Sequence, residues 1–356
     1  MTAETALLEQ VTSEILRDWA NAHPAGWGVE EAAVGWAPDL WATLDSAGLP
    51  LVGIPEQLGG GGGGWPELAA VLRALGRRPA PVPLAESCAL AGWLLAASNL
   101  PIPPGPLAVA PIRPEDSVVI ARENDGWYLR GSAARVPWAA QASAIVVLAR
   151  HLDRWAVVTV PPSACTIEPG RNLAGEPRDR VTFDSIPLDE AAITPTLVEP
   201  GDLQLRAALV RAIQITGALN RLLELCVEYA RVRVQFGRPI GRFQAIQHDL
   251  ARLAGEVVAS AAAVDGAVRV ASQDGPRMME VAAAKIRTAE AATLAARIAH
   301  QLHGAIGFTQ EHQLHRLTTR LWSWRDEAGG EREWALRLGQ YAADRGPSGF
   351  WEWLTE

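Results

Sequence analysis

The spacing of apolar residues changes twice along this chain, and that double change limits the folds open to it. Up to about residue 105 the apolar positions recur at helical spacing. Leu7, Leu8, Val11, Ile15 and Leu16 share one face, and Leu68, Val71, Leu72 and Leu75 repeat the pattern. Pro101, Pro103, Pro104 and Pro106 then interrupt the chain, and residues 106–200 carry short β-branched runs at 117–121, 144–149 and 155–160. Strands at this spacing, with no long helix between them, predict an antiparallel barrel or sandwich. From residue 201 the helical period returns in longer segments, about Leu205–Val232, Gln244–Gln273 and Met279–His303, punctuated by Gly237-Arg-Pro239 and Asp274-Gly-Pro276. Helices of that length with short links predict an antiparallel, four-helix-bundle-like domain. The expected fold is α+β in three domains: helical over 1–105, β over 106–200 and a helical bundle over 201–356.

Composition narrows the function. The 356 residues are 49% hydrophobic and 20% charged, enough to bury sizeable cores, and 32 basic against 40 acidic side chains leave a net charge of −8. An acidic chain without a concentrated basic face argues against nucleic acid as a partner. Cys88, Cys165 and Cys226 are far apart and odd in number, so no disulfide framework is expected. The first 20 residues are acidic and amphipathic, unlike a signal peptide, and a run of about 18 apolar residues is missing, so a cytoplasmic protein without a membrane span is expected. Lys285 is the only lysine, which leaves no other for a Schiff base or a phosphate loop.

Two features invite a ligand and are better read plainly. Gly59–Gly64 is followed by Trp65-Pro66 and lacks the Gly-Lys-Ser/Thr of a phosphate loop, so a flexible link between helices is the expected role. His300 with His303, and His312 with His315, are spaced to share a helix face. No carboxylate stands at a matching position to complete a metal site, and none is expected.

The richest local pattern runs from Tyr229 to His248. Arg231, Arg233, Arg238 and Arg242 cluster where a helix ends and a Gly-Pro turn begins, with Phe236 and Phe243 among them. Guanidinium groups and a following helix start suit a pyrophosphate, and the rings suit a flat heterocycle. An exposed basic turn between two helices fits the same residues equally well. Arg233-x-Gln-Phe-Gly-x-Pro-Ile240, followed by Phe243-Gln-Ala-x-Gln247, resembles the signature of the acyl-CoA dehydrogenases. Gln301-Leu-His-Gly-Ala-Ile-Gly-Phe-Thr-x-Glu311 resembles the later glycine turn of that family. Gly53-Ile-Pro-Glu56 and Trp127-x-x-x-Gly131 add matches in order, so the resemblance spans nearly the whole chain.

The resemblance implies FAD held between subunits of a dimer of dimers, with Arg233, Gln235, Phe236, Gln244, Gln301 and Gly304 as cofactor contacts. It implies α,β-desaturation of an acyl-CoA thioester: a carboxylate takes the α-proton, the β-hydride passes to flavin, and electrons leave through an electron-transferring flavoprotein. Three departures qualify this. The flavin-covering Thr-Glu-Pro-Gly-x-Gly-Ser-Asp loop is replaced by Leu107–Asp116. The flavin-side Trp-Ile-Thr/Ser is replaced by Arg135-Val-Pro137, with Trp138 displaced. The family's glutamate, counted from Gln301, falls on Ala328, one residue after Glu327, and a second position used by some members falls on Ala207. Glu327 is the candidate base, and a solvated acidic turn is its alternative. Losses confined to the ring half of the site suggest a subunit of the actinobacterial heteromeric type, in which two unlike chains build one flavin site. The alternatives are a catalytically silent partner and another flavoenzyme on the same fold, of monooxygenase or nitroalkane oxidase type.

Overall fold

The computed structural model describes residues 2–23, 35–78, 80–123, 126–309 and 312–355. Helices α1 (Ala3–Ala22), α2 (Pro38–Ser46) and α3 (Trp65–Arg77) come first, followed by a π-helical turn, Glu86–Ala91, that runs into α4 (Gly92–Ala97). Eight strands follow, from β1 (Leu107–Ala110) to β8 (Thr194–Thr196). The long helices α5 (Pro200–Val232), α6 (Gln244–Asp274) and α7 (Met278–His303) then lead to α8 (Leu314–Asp326) and α9 (Glu331–Thr355), the last broken at Gly346.

Burial explains both periodicities. In α3 the apolar stripe from Leu68 to Leu75 packs on α5, and the two backbones nearly touch. A Cβ at Gly76 would lie 2.0 Å from the Gln214 carbonyl oxygen, and one at Gly217 would lie 2.2 Å from that of Arg73. In β4 (Ala144–His151) the pleat sends Val146 and Leu148 to the helices and Ile145, Val147 and Ala149 to the interior of the sheet domain. Burial on both faces makes the segment uniformly apolar, where an exposed strand would alternate.

The sheet is mixed, which corrects the expectation of a purely antiparallel one. Its order is β6-β7-β3-β2-β4-β5-β8, with β2 (Ser117–Glu123), β3 (Gly126–Pro137), β5 (Arg154–Val160), β6 (Thr166–Glu168) and β7 (Arg178–Leu188). β1 and β2 both run parallel to β4, at Ala110↔Val147 and then Val119↔Arg150. They are one strand line interrupted at 111–116, where Pro111 and Pro114 can donate nothing to the ladder. That looped-out segment lines the cleft described below.

The glycine run serves the fold. Gly60, Gly61 and Gly62 donate their amides to the carbonyls of Pro55, Leu51 and Ile54, and Gly64 donates to the Glu67 carboxylate at 2.9 Å. A Cβ at Gly60 would lie 2.1 Å from the Ile54 carbonyl oxygen, so close backbone packing demands glycine there. These amides are spent inside the chain and cradle no phosphate.

Candidate active site

A cleft of about 870 Å³ opens where the three parts of the chain meet. Its walls are the 112–115 loop, Arg135 and Pro137 at the end of β3, residues 170–173 and Arg178, the α5 residues Gln204, Ala207 and Arg211, and the end of α8 from Trp322 to Gly329. Arg135 sits in a left-handed backbone conformation (φ 57), at a register shift in β3, and presents an exposed guanidinium to the cleft. Ala207 faces the cleft one turn before Arg211, so this second family position lies where a base would be useful but carries a methyl group.

Glu327 lies on the cleft wall as the first residue past α8, with its side chain 19% exposed. Its carboxylate is held from three sides. Oε1 accepts from Asn172 Nδ2 at 3.0 Å and Arg178 Nε at 2.9 Å, while Oε2 accepts from Arg178 Nη2 at 3.0 Å and Arg211 Nε at 2.8 Å. Burial alone would raise its pKa. The charges of Arg178 and Arg211, with hydrogen bonds from Arg178 and Asn172, outweigh burial and hold it at about 2.

The pairing continues inward. Arg178 also bonds Glu176 at 3.0 Å, Glu176 accepts from Arg320 at 3.0 Å and from the Trp324 indole at 3.0 Å, and Arg211 bonds Glu86 at 2.7 Å. Three carboxylates and three guanidiniums thus link the π-helical turn, α5, β7, α8 and the Glu327 turn. Buried charges persist only when paired in this way. Arg178, Arg211, Asn172, Glu176 and Glu86 were not foreseen. The available signal was Arg211 itself, a charge inside the apolar run Leu209–Ile215.

The other sequence candidates sit elsewhere. Arg233 ends α5, Gln235 and Phe236 form a short hairpin of β9 (Val234–Gln235) and β10 (Arg238–Pro239), and Gln244 opens α6. All four are exposed, Phe236 by 93%. Phe236 meets Phe243 edge to face at 6.1 Å, and the Arg238 guanidinium lies 4.3 Å from the Phe243 ring. Gln301 and Gly304 are exposed at the end of α7, which Tyr229 joins to the hairpin end of α5 by stacking on His303 at 4.4 Å. From Arg211 to Arg233 is 22 residues of one helix, roughly 33 Å at 1.5 Å per residue. The structure therefore brings the six cofactor candidates to one end of the bundle and leaves Glu327 far from them.

The histidines are structural neighbours. His300 bonds Thr318 at 2.9 Å and stacks on Phe308, and His303 lies 4.8 Å from His312. Among the described residues no group of three or more His, Cys, Asp or Glu side chains could hold a metal ion. Trp322 faces the cleft, while Trp324 and Trp334 are buried, Trp334 donating to the Ala328 carbonyl at 3.0 Å.

The residues fit FAD unevenly. The exposed guanidiniums, amides and Phe236 of the hairpin suit a pyrophosphate and a purine presented by another chain. The cleft wall offers Pro114 and Pro137, which have no amide hydrogen, and Arg113 and Arg135.

Residues 2–98 match the family model of the acyl-CoA dehydrogenase N-terminal domain, and residues 205–336 that of the C-terminal domain. The acyl-CoA dehydrogenase IpdE2 of Mycobacterium tuberculosis is 33% identical over 79% of this chain and 79% of its own length. IpdE2 of Mycolicibacterium smegmatis is 30% identical over 95% of this chain and 98% of its own. Among solved structures, the ChsE4-ChsE5 complex from Mycobacterium tuberculosis superposes with a TM-score of 0.89 at 27% identity, covering 98% of this chain and 99% of that one. The Tcur3481-Tcur3483 steroid ACAD variant gives 0.83 at 26% identity, covering 96% and 98%. The chain belongs to the acyl-CoA dehydrogenases, a family of FAD-dependent oxidoreductases.

Proposed function

We propose that this chain is one of two unlike subunits of an FAD-dependent acyl-CoA dehydrogenase acting on bulky, ring-bearing CoA thioesters. The observation that carries the reading is the distance within one chain between the adenine-side hairpin and the cleft. A hairpin so far from its own cleft serves a site on a neighbouring chain. In that role Arg233, Gln235, Phe236 and Gln244, with Gln301 and Gly304, contact the pyrophosphate and adenine of a cofactor whose ring rests on the partner. The cofactor supplies hydride acceptance, and an electron-transferring flavoprotein takes the electrons onward. The relatives described as a steroid ACAD and as subunits of a two-protein complex support the substrate class and the pairing.

In this reading Glu327 is an anchor, and the base is a carboxylate of the partner. A carboxylate held at about 2 by two guanidiniums has little basicity left for an α-proton. The second reading, Glu327 as the base, is favoured by its place on the cleft wall. Turnover of the co-purified pair separates them: Glu327→Gln leaves kcat within about threefold if Glu327 is an anchor, and lowers it by about 10²–10⁴ if it is the base. The pairing itself is tested by visible spectrum and mass in solution. Expressed alone, the chain is expected to be colourless and to gain flavin absorbance on mixing with its homologous partner. One FAD per chain in a homotetramer sinks the proposal.

A further inference from the structure

Lys285 is the only lysine of this protein, and it is fully buried in α7. Its Nζ donates to the carbonyls of Trp324 and Arg325, each at 2.8 Å. Both belong to the last turn of α8, whose carbonyls have no partner further along the helix. Glu327 leaves that helix in an extended conformation (φ −77, ψ 146), and the left-handed residue, Ala328 (φ 55), comes only after it, so the turn departs from the usual cap. The Lys285 amino group, whose pKa burial pushes down to about 7, takes that place. Carbonyls of successive residues met from one side suit a compact group whose donors radiate from a single atom better than the planar fork of arginine.

A second restraint stands just beyond. The buried Trp334 indole donates to the Ala328 carbonyl at 3.0 Å, and a Cβ at Gly329 would fall 2.6 Å from that indole nitrogen. The turn is thus pinned at 324–325 from α7 and at 328 from α9, with Glu327 between the pins. We propose that Lys285 is a positioning residue of the cleft, which ties the end of α8 to α7 and so sets where Glu327 meets Arg178 and Arg211. Its functional half rests on the second reading above, in which this chain's own cleft takes the acyl-CoA thioester.

The test is hydrogen exchange and ligand binding in the assembled pair, with Lys285→Met, Lys285→Arg, Glu327→Gln and the Met/Gln double variant. Lys285→Met is expected to speed exchange at least tenfold in peptides covering 324–333 and to leave 144–160 unchanged. The double variant is expected to exchange no faster there than Lys285→Met, because both changes free the same turn. Cyclohexanecarbonyl-CoA, used as the probe, is expected to bind at least fivefold more weakly to Lys285→Met, with Lys285→Arg between it and the parent. Exchange that rises evenly along the bundle, or stays unchanged at 324–333, overturns the proposal. If the probe binds the Lys285→Met pair as tightly as the parent, the functional reading of this cleft falls, and the exchange result still decides the role of Lys285. Should Lys285→Met not fold, acetylation of the native parent by N-hydroxysuccinimide acetate decides: labelling of the α-amine alone supports the buried tie, and labelling of Lys285 at the rate of a free amine overturns it.

Discussion

The charge state of Glu327 is set by residues distant from it in sequence. Its position on the cleft wall follows from the chain trace, but its chemistry is set by Arg178 and Arg211, which come from β7 and α5. The pairing has a pH signature. Because the folded pKa is depressed, from 4.5 to about 2, the carboxylate contributes stability that is complete above about pH 5 and is lost as pH falls through the range from 4.5 to 2. That contribution is on the order of 3 kcal/mol. Glu327→Gln should therefore flatten the acid limb of a denaturant-midpoint profile between pH 5 and 2.5. At pH 7 the same variant should lose about 3–5 kcal/mol, since two buried guanidiniums lose a shared counter-charge. An acid limb identical to the parent would show that the pair is not formed in solution.

Among the elements, α3 and α5 make the sharpest demand on sequence. Reciprocal glycines bring their backbones into contact, and both positions carry a backbone oxygen where a methyl group would go. Gly217→Ala is expected to destabilise by about 2–4 kcal/mol, as overpacking without a flexible neighbour to yield. Gly255→Ala, on exposed α6 with nothing within 4 Å of the added carbon, should instead stabilise by about 0.5–1 kcal/mol. Thermal midpoints moving in opposite directions would check both. Elements of this kind were legible beforehand because periodicity is a local signal. The long helices were expected at Leu205–Val232, Gln244–Gln273 and Met279–His303, and the structure has them within a few residues at each end. The parallel pairing of β1 and β2 with β4 was not legible, because strand direction depends on partners distant in sequence. For the same reason motif spacing singled out the hairpin residues and Glu327 as candidates, whereas Arg178, Glu86 and the Lys285 tie to α8 appear only once the fold brings them together.

At the scale of the molecule, the charge network is where the helical, sheet and bundle regions share one set of bonds. Arg178 is the sheet's contribution, bonded to both Glu176 and Glu327. Arg178→Ala leaves two buried carboxylates each short of a guanidinium and should cost about 3–5 kcal/mol. It should also raise hydrogen exchange in 170–180 and 324–330 together. A rise confined to the sheet would show that the network does not couple the regions. The exposed hairpin belongs to this scale too. Phe236→Ala should leave the midpoint of the isolated chain within about 0.5 kcal/mol, as expected for a surface change, and lower the flavin retained by the assembled pair on gel filtration.

The interrupted strand line has a consequence for how such a cleft diversifies. Between their anchor points on β4, β1 and β2 use nine residue steps where β4 uses three. The surplus forms a bay whose two ends are moored to the same neighbouring strand. Residues 111–116 can thus lengthen, shorten or change character without shifting any register in the sheet. A chain built this way can reshape its cleft wall by exchanging one short insert, and keep the rest of its architecture as an unaltered chassis.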